Sequence, residues 1–385
     1  MPDKVLFSTD IGSDIDDVLS LLAMFNSGID VDGIYSVNGD VSSRARIAKH
    51  MVDLSGKIIE VGVGESKPIG GTIEPYTYFE EYYVDNKFIE REESLLSKDI
   101  KYKSLRETGI NPKGLEAMAE RLFDSPRVVF NTGPLTNIAR LIDEYPESAR
   151  NITHLYFMGC RFGDKSHEHN IRFDIPAAIK VFESSIPITV VSGDVCSRYR
   201  MPFEQLGQLK SEAGKYVKRM AYGFVAAGMA RDYSTAGLKS FLENDAKTGP
   251  NHLRNEPNRG EILKTNNRIR ELLRDIDDSY FAALDPEGYF KNYYTLLELF
   301  RNPKLDIYRG DAFANVLEVG LPKDISISDV YVPYCYLRPD KIKAVRANVQ
   351  VDANGYSYRE KGNRHTIITD LDFEDFREFT VSYLR

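Results

Sequence analysis

The stretch that decides the fold lies near the start of the chain, at residues 8–17, and reads Ser-Thr-Asp-Ile-Gly-Ser-Asp-Ile-Asp-Asp. The apolar residues 5–7 before it predict a β-strand, Gly12 predicts a turn, and the apolar block 18–24 predicts a helix that starts near Asp16. Four of the stretch's residues are aspartates, which repel one another. A helix N-terminus attracts each carboxylate by only about 0.3–1 kcal/mol. A hard cation, which prefers oxygen ligands, would explain the cluster.

The cluster could also be a set of helix caps on a solvated acidic turn. Its position directly after a strand favours a binding site, because α/β proteins bind ligands beyond the carboxyl ends of their strands. The pattern does not fit an EF-hand loop, since Gly12 has the wrong offset and no Glu closes twelve residues. It also fits an aspartyl-phosphate phosphatase poorly, because Gly12 stands where a second Asp is expected.

Short apolar strands alternate with helical segments along much of the chain. This alternation predicts an α/β fold with an open, mostly parallel central sheet covered by helices on both faces. The further predicted strands are Val31–Val37, Lys57–Val63, Val128–Phe130, His154–Met158 and Ile188–Val191, and further helices are predicted over Ser42–Leu54 and from Leu135.

Two segments interrupt this alternation. Residues 72–112 are rich in Tyr, Phe and charged side chains, and residues 200–305 are predicted to be helical with a polar middle. Neither has the Pro-rich or Ser-rich composition of a linker. We therefore expect a single domain over residues 1–385, with insertions at about 72–112 and 200–305.

Composition limits the function further. The 385 residues are 42% apolar, enough for a substantial core, and the net charge of −8 argues against binding a nucleic-acid backbone. Three cysteines without metal-ligand spacing indicate neither a disulfide framework nor a zinc site. The sequence does not open with a basic region followed by an apolar one, and no apolar run reaches membrane-spanning length, so we expect neither a targeting segment nor a membrane span. We expect a cytoplasmic protein with no nucleic-acid or membrane partner.

Four segments resemble the signature segments of the inosine-uridine nucleoside hydrolase family, and they occur in the family's order: Thr9–Asp17, Asn131–Asn137, Glu168–Asp174 and Gly310–Ala314. The two insertions and the far C-terminus lie outside the similarity. The resemblance implies a nucleoside hydrolase-like fold with a Rossmann-like core. It also implies an enzyme that hydrolyses the N-glycosidic bond of a nucleoside or related N-riboside. We expect a homodimer or homotetramer.

The resemblance also implies a calcium site at the carboxyl ends of the central strands. Asp10, Asp17 and Asp311 would bind Ca²⁺ through their carboxylates, and Thr132 through its backbone carbonyl. Asp10 would in addition be the general base that deprotonates the attacking water.

The same resemblance gives the substrate a set of polar partners. Asp16, Glu168 and Asn170 would hold the ribose hydroxyls. Asn38 and Asp40 follow the second predicted strand and are expected at the same pocket. The predicted substrate-binding set is completed by Met158 and His169.

The chain departs from the family pattern at several positions. Ser8 stands where the family usually has Asp, and the family's commonest motif is two residues shorter between Gly12 and the Asp16–Asp17 pair. Gly310 stands where a His commonly serves the leaving group, and only His167 and His169 are near the motifs as replacements. These departures leave open a catalytically impaired member that binds ribosides. A metal-dependent phosphohydrolase is a weaker alternative, because no Lys or Thr motif of that chemistry is visible.

Overall fold

The computed structural model describes residues 3–12, 14–70, 105, 108–164, 166–218, 220–221 and 324–384. Eight of the described strands form one sheet: β1 Val5–Thr9, β2 Val31–Ser36, β3 Glu60–Gly62, β4 Arg127–Asn131, β5 Ile152–Met158, β6 Ile188–Val191, β9 Ile342–Val351 and β10 Ser357–Leu371. Their order in the sheet is β3-β2-β1-β4-β5-β6-β10-β9. A separate antiparallel pair joins β7 Met201–Pro202 to β8 Asp324–Ile325.

Strands β1 to β6 and β10 pair in parallel, and only the edge strand β9 runs antiparallel, against β10. From β1 the chain adds β2 and β3 on one side and then β4 to β6 on the other. The order therefore reverses between β1 and β4. In an open α/β sheet the crevice at the carboxyl ends of such a pair is the usual ligand site.

The described α-helices are α1 Asp16–Ser27, α2 Val41–Leu54, α3 Gly114–Asp124, α4 Thr136–Glu144, α5 Pro146–Ala149, α6 His169–Phe173, α7 Ile175–Glu183, α8 Gly193–Cys196, α9 Tyr331–Leu337 and α10 Phe373–Tyr383. Eight of them form two groups by their contacts. One group contains α1, α2, α9 and α10, since α1 contacts the other three, and the second contains α3, α4, α5 and α7. Three 3-10 turns cover Phe203–Gln208, Ser328–Val330 and Pro339–Lys341, and residues 212–218 are also helical.

The central strands form around short apolar runs, residues 5–7 in β1 and 128–130 in β4, that are buried on both faces of the sheet. Every residue of β1 and β4 is buried, as expected for parallel strands covered by helices on both sides. Leu6 and Val129 are partners in the β1–β4 register, and they join Leu155 and Val190 in one hydrophobic cluster. This rigid centre places the strand ends, and the polar residues that follow them, in fixed positions.

The predicted fold class is confirmed. Strand β6 has the predicted bounds, and α1 begins at Asp16 as predicted, whereas β3 is shorter than predicted. The strands β9 and β10 were not predicted. The described residues up to 218 and from 324 onward belong to one compact unit, and the single-domain organisation stays a prediction. Among the described helices, none is both long and apolar enough to cross a membrane.

Candidate active site

A cavity of about 210 Å³ opens beside the carboxyl ends of β1 and β4. Eight residues predicted as site residues line it: Asp10, Asp16, Asp17, Thr132, Met158, Glu168, His169 and Asn170. Four further residues of the lining were not predicted: Asp14, Ser326, Ser328 and Asp329. Three of the four signature segments therefore meet at one place, together with residues 326–329 from outside the family resemblance, whereas the fourth segment lies outside the described residues.

Four carboxylates of this cavity form a tight cluster. Asp14, Asp16, Asp17 and Asp329 each present an oxygen, and these oxygens all lie within 4.8 Å of one another. Asp16, Asp17 and Asp329 are buried, and Asp14 is partly exposed. Asp311, the third predicted carboxylate ligand, lies outside the described residues.

Asp329 reaches the cluster from the far end of the chain. It lies in the 3-10 turn Ser328–Val330, which contacts α1. The hydroxyl of Ser20 donates to the backbone carbonyl of Asp329 at 2.9 Å. The signal that could have revealed this residue is an Asp just before the apolar helix α9, because the same pattern marks Asp16 and Asp17 at the start of α1.

Asp17 is held by two hydroxyl groups. Thr132 donates to its Oδ1 at 2.6 Å, and Thr9 donates to the same oxygen. Burial and the charge of Asp14 raise the pKa of Asp17 to about 6, although both hydroxyls act in the opposite direction. Asp17 therefore joins the end of β1 to the end of β4 through one carboxylate oxygen.

The pKa values of the other two buried carboxyl groups are also raised. Burial raises the pKa of Asp16 well above its usual value, and the charges of Asp14, Asp17 and Asp10 raise it further. The pKa of Asp329 is raised by burial and by the same group of aspartates. Ions of the size of Ca²⁺ hold oxygens at about 2.3–2.6 Å, so ligands on opposite sides are roughly 5 Å apart. The cluster could therefore hold one metal ion, which would replace this repulsion by attraction.

Beneath the cluster lies a buried guanidinium group. Arg44 is fully buried in α2, and its Nε donates to the carbonyl of Asn38 at 2.7 Å. One Nη atom donates to the carbonyls of Asp10 and Ile11. Arg44 thus fixes the backbone after β1 against the backbone after β2, and its positive charge lowers the pKa of Asp17.

The loop that carries Asp10 is also fixed by close packing. Gly12 has φ of 104°, and an added Cβ there would lie 2.6 Å from Ile47 Cδ1. At Gly133 an added Cβ would lie 3.0 Å from Asp10 Oδ1. Only glycine allows the β4 turn to approach Asp10 so closely.

Glu168 and Asn170 form the opposite wall of the cavity. Glu168 caps α6, and its carboxylate accepts the backbone N–H groups of Asn170, Ile171 and Cys160 at 3.0–3.3 Å. Burial raises the pKa of Glu168, and these N–H groups limit the rise. The amide of Asn170 donates to the carbonyls of Thr132 at 2.7 Å and Met158 at 3.1 Å. A carbonyl has two lone pairs, so Thr132 retains one for a ligand.

Ser8 belongs to a buried polar network behind the cavity. Asn137 donates to the Ser8 hydroxyl and to the carbonyl of Ser36, each at 3.1 Å, and its Oδ1 accepts the N–H of Glu65 at 2.9 Å. One amide therefore ties together β1, β2 and the loop after β3. Ser8 fills a structural position in this chain.

Asn38 and Asp40 are not in the described lining of the cavity. Asn38 is buried with φ of 70°, and its Nδ2 has no hydrogen-bond partner among the described residues. Asp40 caps α2, where it accepts the N–H groups of Ser42 and Ser43, both at 3.1 Å. Capping occupies the carboxylate of Asp40, and the predicted substrate contact of both residues stays a prediction.

The two histidines near the motifs lie in different surroundings. His169 lines the acidic cavity and packs edge-on against Phe173, with ring centroids 4.4 Å apart. Burial lowers its pKa, whereas the charge of Asp14 opposes that shift. His167 stacks on Tyr356 in a second cavity of about 620 Å³. Of the two, only His169 faces the carboxylates.

Comparison with known proteins assigns this arrangement to a family. The profile of the inosine-uridine preferring nucleoside hydrolase family matches residues 5–249, and the chain belongs to that family of hydrolases. The predicted family and enzyme class are confirmed.

Relatives agree with this assignment. The chain is 27% identical over 241 residues to the non-specific ribonucleoside hydrolase RihC of Klebsiella pneumoniae, which covers 59% of this chain and 73% of that protein. It is 29% identical over 219 residues to the pyrimidine-specific ribonucleoside hydrolase RihA of Citrobacter koseri, and the aligned part covers 54% of this chain and 65% of that protein. In fold it is similar to the plant nucleoside hydrolase PpNRh1, with a TM-score of 0.60, 14% identity, and coverage of 100% and 99%.

Proposed function

We propose that the protein hydrolyses the N-glycosidic bond of a ribonucleoside or related N-riboside, giving free base and ribose, with Ca²⁺ and with Asp10 as the general base. The observation that supports this most is the buried cluster of carboxylates in the cavity that Asp10 lines. Family membership supports the type of reaction.

The donors present suit a hard cation. Asp10, Asp17 and the carbonyl of Thr132 would hold the ion, and we assign the third carboxylate to Asp329 because it lies in the cluster. Carboxylate and carbonyl oxygens favour Ca²⁺ over metals that prefer nitrogen or sulfur. When bound, the ion supplies positive charge that makes a water molecule easier to deprotonate. The part predicted for Asp311 stays a prediction.

The chain's own residues would then carry the reaction. Asp10 would accept a proton from the water as the water oxygen bonds to C1′ of the ribose. The C1′–N bond would break with its electron pair going to the base, which would take up a proton from solvent, and the proton accepted by Asp10 would return to solvent. Positive charge develops on the sugar in this step, and the carboxylates around the cavity would stabilise it.

The opposite wall would orient the sugar. Glu168 lines the cavity, where backbone N–H groups fix its carboxylate, and it would present an oxygen of that carboxylate to a hydroxyl of the sugar. Asn170 is fixed by the carbonyls of Thr132 and Met158. Asp16 lies beside the metal cluster and would hold a further hydroxyl. His169 is the imidazole in the described lining and would contact the substrate beside Glu168.

A substrate screen tests this proposal. Purified protein with CaCl₂ is incubated with inosine, adenosine, uridine, cytidine and p-nitrophenyl riboside, and free base and free ribose are measured separately. We expect equal amounts of both products, and at least a 10²-fold loss in the Asp10→Asn variant. Nucleoside binding without release of ribose from any substrate would instead support the non-catalytic alternative. Release of phosphate from phosphomonoesters would support a phosphohydrolase.

The assembly and location complete the proposal. We expect a homodimer or homotetramer in the cytoplasm, and light scattering coupled to size-exclusion chromatography measures the first. A monomeric mass in solution would contradict the predicted oligomer.

A further inference from the structure

The family resemblance assigns no role to Asp14. With Ser13 it makes up the two residues by which this motif exceeds the family's commonest form. Its carboxylate nevertheless presents an oxygen within 4.8 Å of the carboxylate oxygens of Asp16, Asp17 and Asp329. Asp14 Oδ1 also accepts the backbone N–H of Asp16 at 3.4 Å, which keeps the carboxylate over the start of α1.

The distances allow one ion to contact all four carboxylates. Oxygens bound at about 2.3–2.6 Å can be separated by up to roughly 5 Å when they lie on opposite sides of the ion. The separation of 4.8 Å or less lies within that limit for every pair of the cluster.

The charges of the site favour the same interpretation. The carboxylate oxygen of Asp14 lies within 4.8 Å of those of Asp16, Asp17 and Asp329, and like charges at this separation repel one another. Without a cation, Asp14 is therefore a source of repulsion for three buried groups. With a cation bound, the carboxylate of Asp14 could instead coordinate the ion.

We propose that Asp14 is an additional ligand of the metal ion and makes the site selective for Ca²⁺ over Mg²⁺. The selectivity follows from coordination number, since Ca²⁺ accepts six to eight oxygens and Mg²⁺ demands six in near-octahedral geometry and keeps several waters. This inference rests on the metal site of the proposed function.

Calorimetric titration of metal-free protein tests the inference without any substrate. The variant is Asp14→Asn, and the matched control is Asp30→Asn, which removes the same charge from an exposed residue just beyond the other end of α1. We expect Asp14→Asn to weaken Ca²⁺ binding at least tenfold and Mg²⁺ binding less than threefold. We expect Asp30→Asn to leave both unchanged.

Thermal unfolding provides a second readout that separates ligand loss from misfolding. In EDTA, Asp14→Asn should unfold at the same temperature as the wild type or higher, because it removes repulsion. On addition of Ca²⁺, the melting temperature of Asp14→Asn should rise by less than that of the wild type. Equal Ca²⁺ affinity of Asp14→Asn and wild type would overturn the inference. An equal loss of Ca²⁺ affinity in Asp14→Asn and Asp30→Asn would also overturn it, and so would a melting temperature of Asp14→Asn below that of wild type in EDTA. Wild type that binds Ca²⁺ but releases no ribose would contradict the proposed function alone.

Discussion

The close approach of Gly133 to Asp10 leads to a quantitative prediction for Gly133→Ala. A Cβ at this position would lie 2.7 Å from Val37 Cγ1, 2.9 Å from Asp10 N and 3.0 Å from Asp10 Oδ1. Favourable carbon contacts begin near 3.5 Å, so the neighbours must move by roughly 0.5–0.8 Å. Overpacking of this kind typically costs about 1–3 kcal/mol of stability. A displacement approaching 1 Å at a reacting group costs up to about 10²-fold in rate.

We therefore expect Gly133→Ala to lower kcat by about 10–100-fold while the protein stays folded. The assay measures ribose release in Ca²⁺, together with urea unfolding of the same preparation. Gly207→Ala is the control, because an added Cβ there meets no atom within 4 Å. A kcat of Gly133→Ala within twofold of wild type would refute the argument that Asp10 is positioned by this contact.

Further predictions concern four other perturbations. Arg44→Met leaves three carbonyls without their donor and should lower the free energy of unfolding by roughly 3–5 kcal/mol. Arg44→Lys should restore part of this loss, and urea unfolding of Arg44→Met that matches wild type would contradict the prediction. His365 accepts the N–H of Val349, and burial lowers its pKa to about 4. The stability that the neutral imidazole contributes should therefore be complete above pH 6.5 and decrease as the pH falls toward 4. Stability measured across this range should fall less in His365→Asn than in wild type, and parallel curves would exclude His365 as a cause. Asp10→Asn should lose 10²–10⁴-fold in turnover, and a smaller loss than in Asp14→Asn would mean that the base is another carboxylate. Elemental analysis of protein purified without chelator should find calcium, and stoichiometric zinc would contradict the oxygen-ligand site.

Local sequence patterns predict most of the sheet and one side of the cavity. Strands β1, β4 and β6 are buried on both faces, so they contain short apolar runs such as residues 5–7 and 128–130. The residues directly after such strands, Asp10 and Thr132, are placed by the strands themselves. For these positions, neighbourhood in sequence determines neighbourhood in space.

Other features depend on contacts that local patterns do not contain. Asp329 reaches the cluster only because the 3-10 turn Ser328–Val330 packs on α1. Strand β10 contains a run of exposed polar and charged residues from 359 to 364, which obscures its apolar part. Asp40 shows a feature that a local pattern does contain, since the Asp-Val-Ser-Ser sequence is a visible capping signal, and its substrate contact stays a prediction.

The meeting of α1 with the turn that carries Asp329 has a consequence for how the protein is made. Ser20 and Asp329 are 309 positions apart, yet they are joined by a hydrogen bond. A ribosome must therefore have added all the residues between them before the carboxylate cluster is complete. Until then the nascent chain carries its N-terminal aspartates without their partner, and prematurely terminated chains lack the full cluster. Acquisition of the proposed ion would thus be a late event in biosynthesis and a marker of molecules that have folded through to their C-terminal segment.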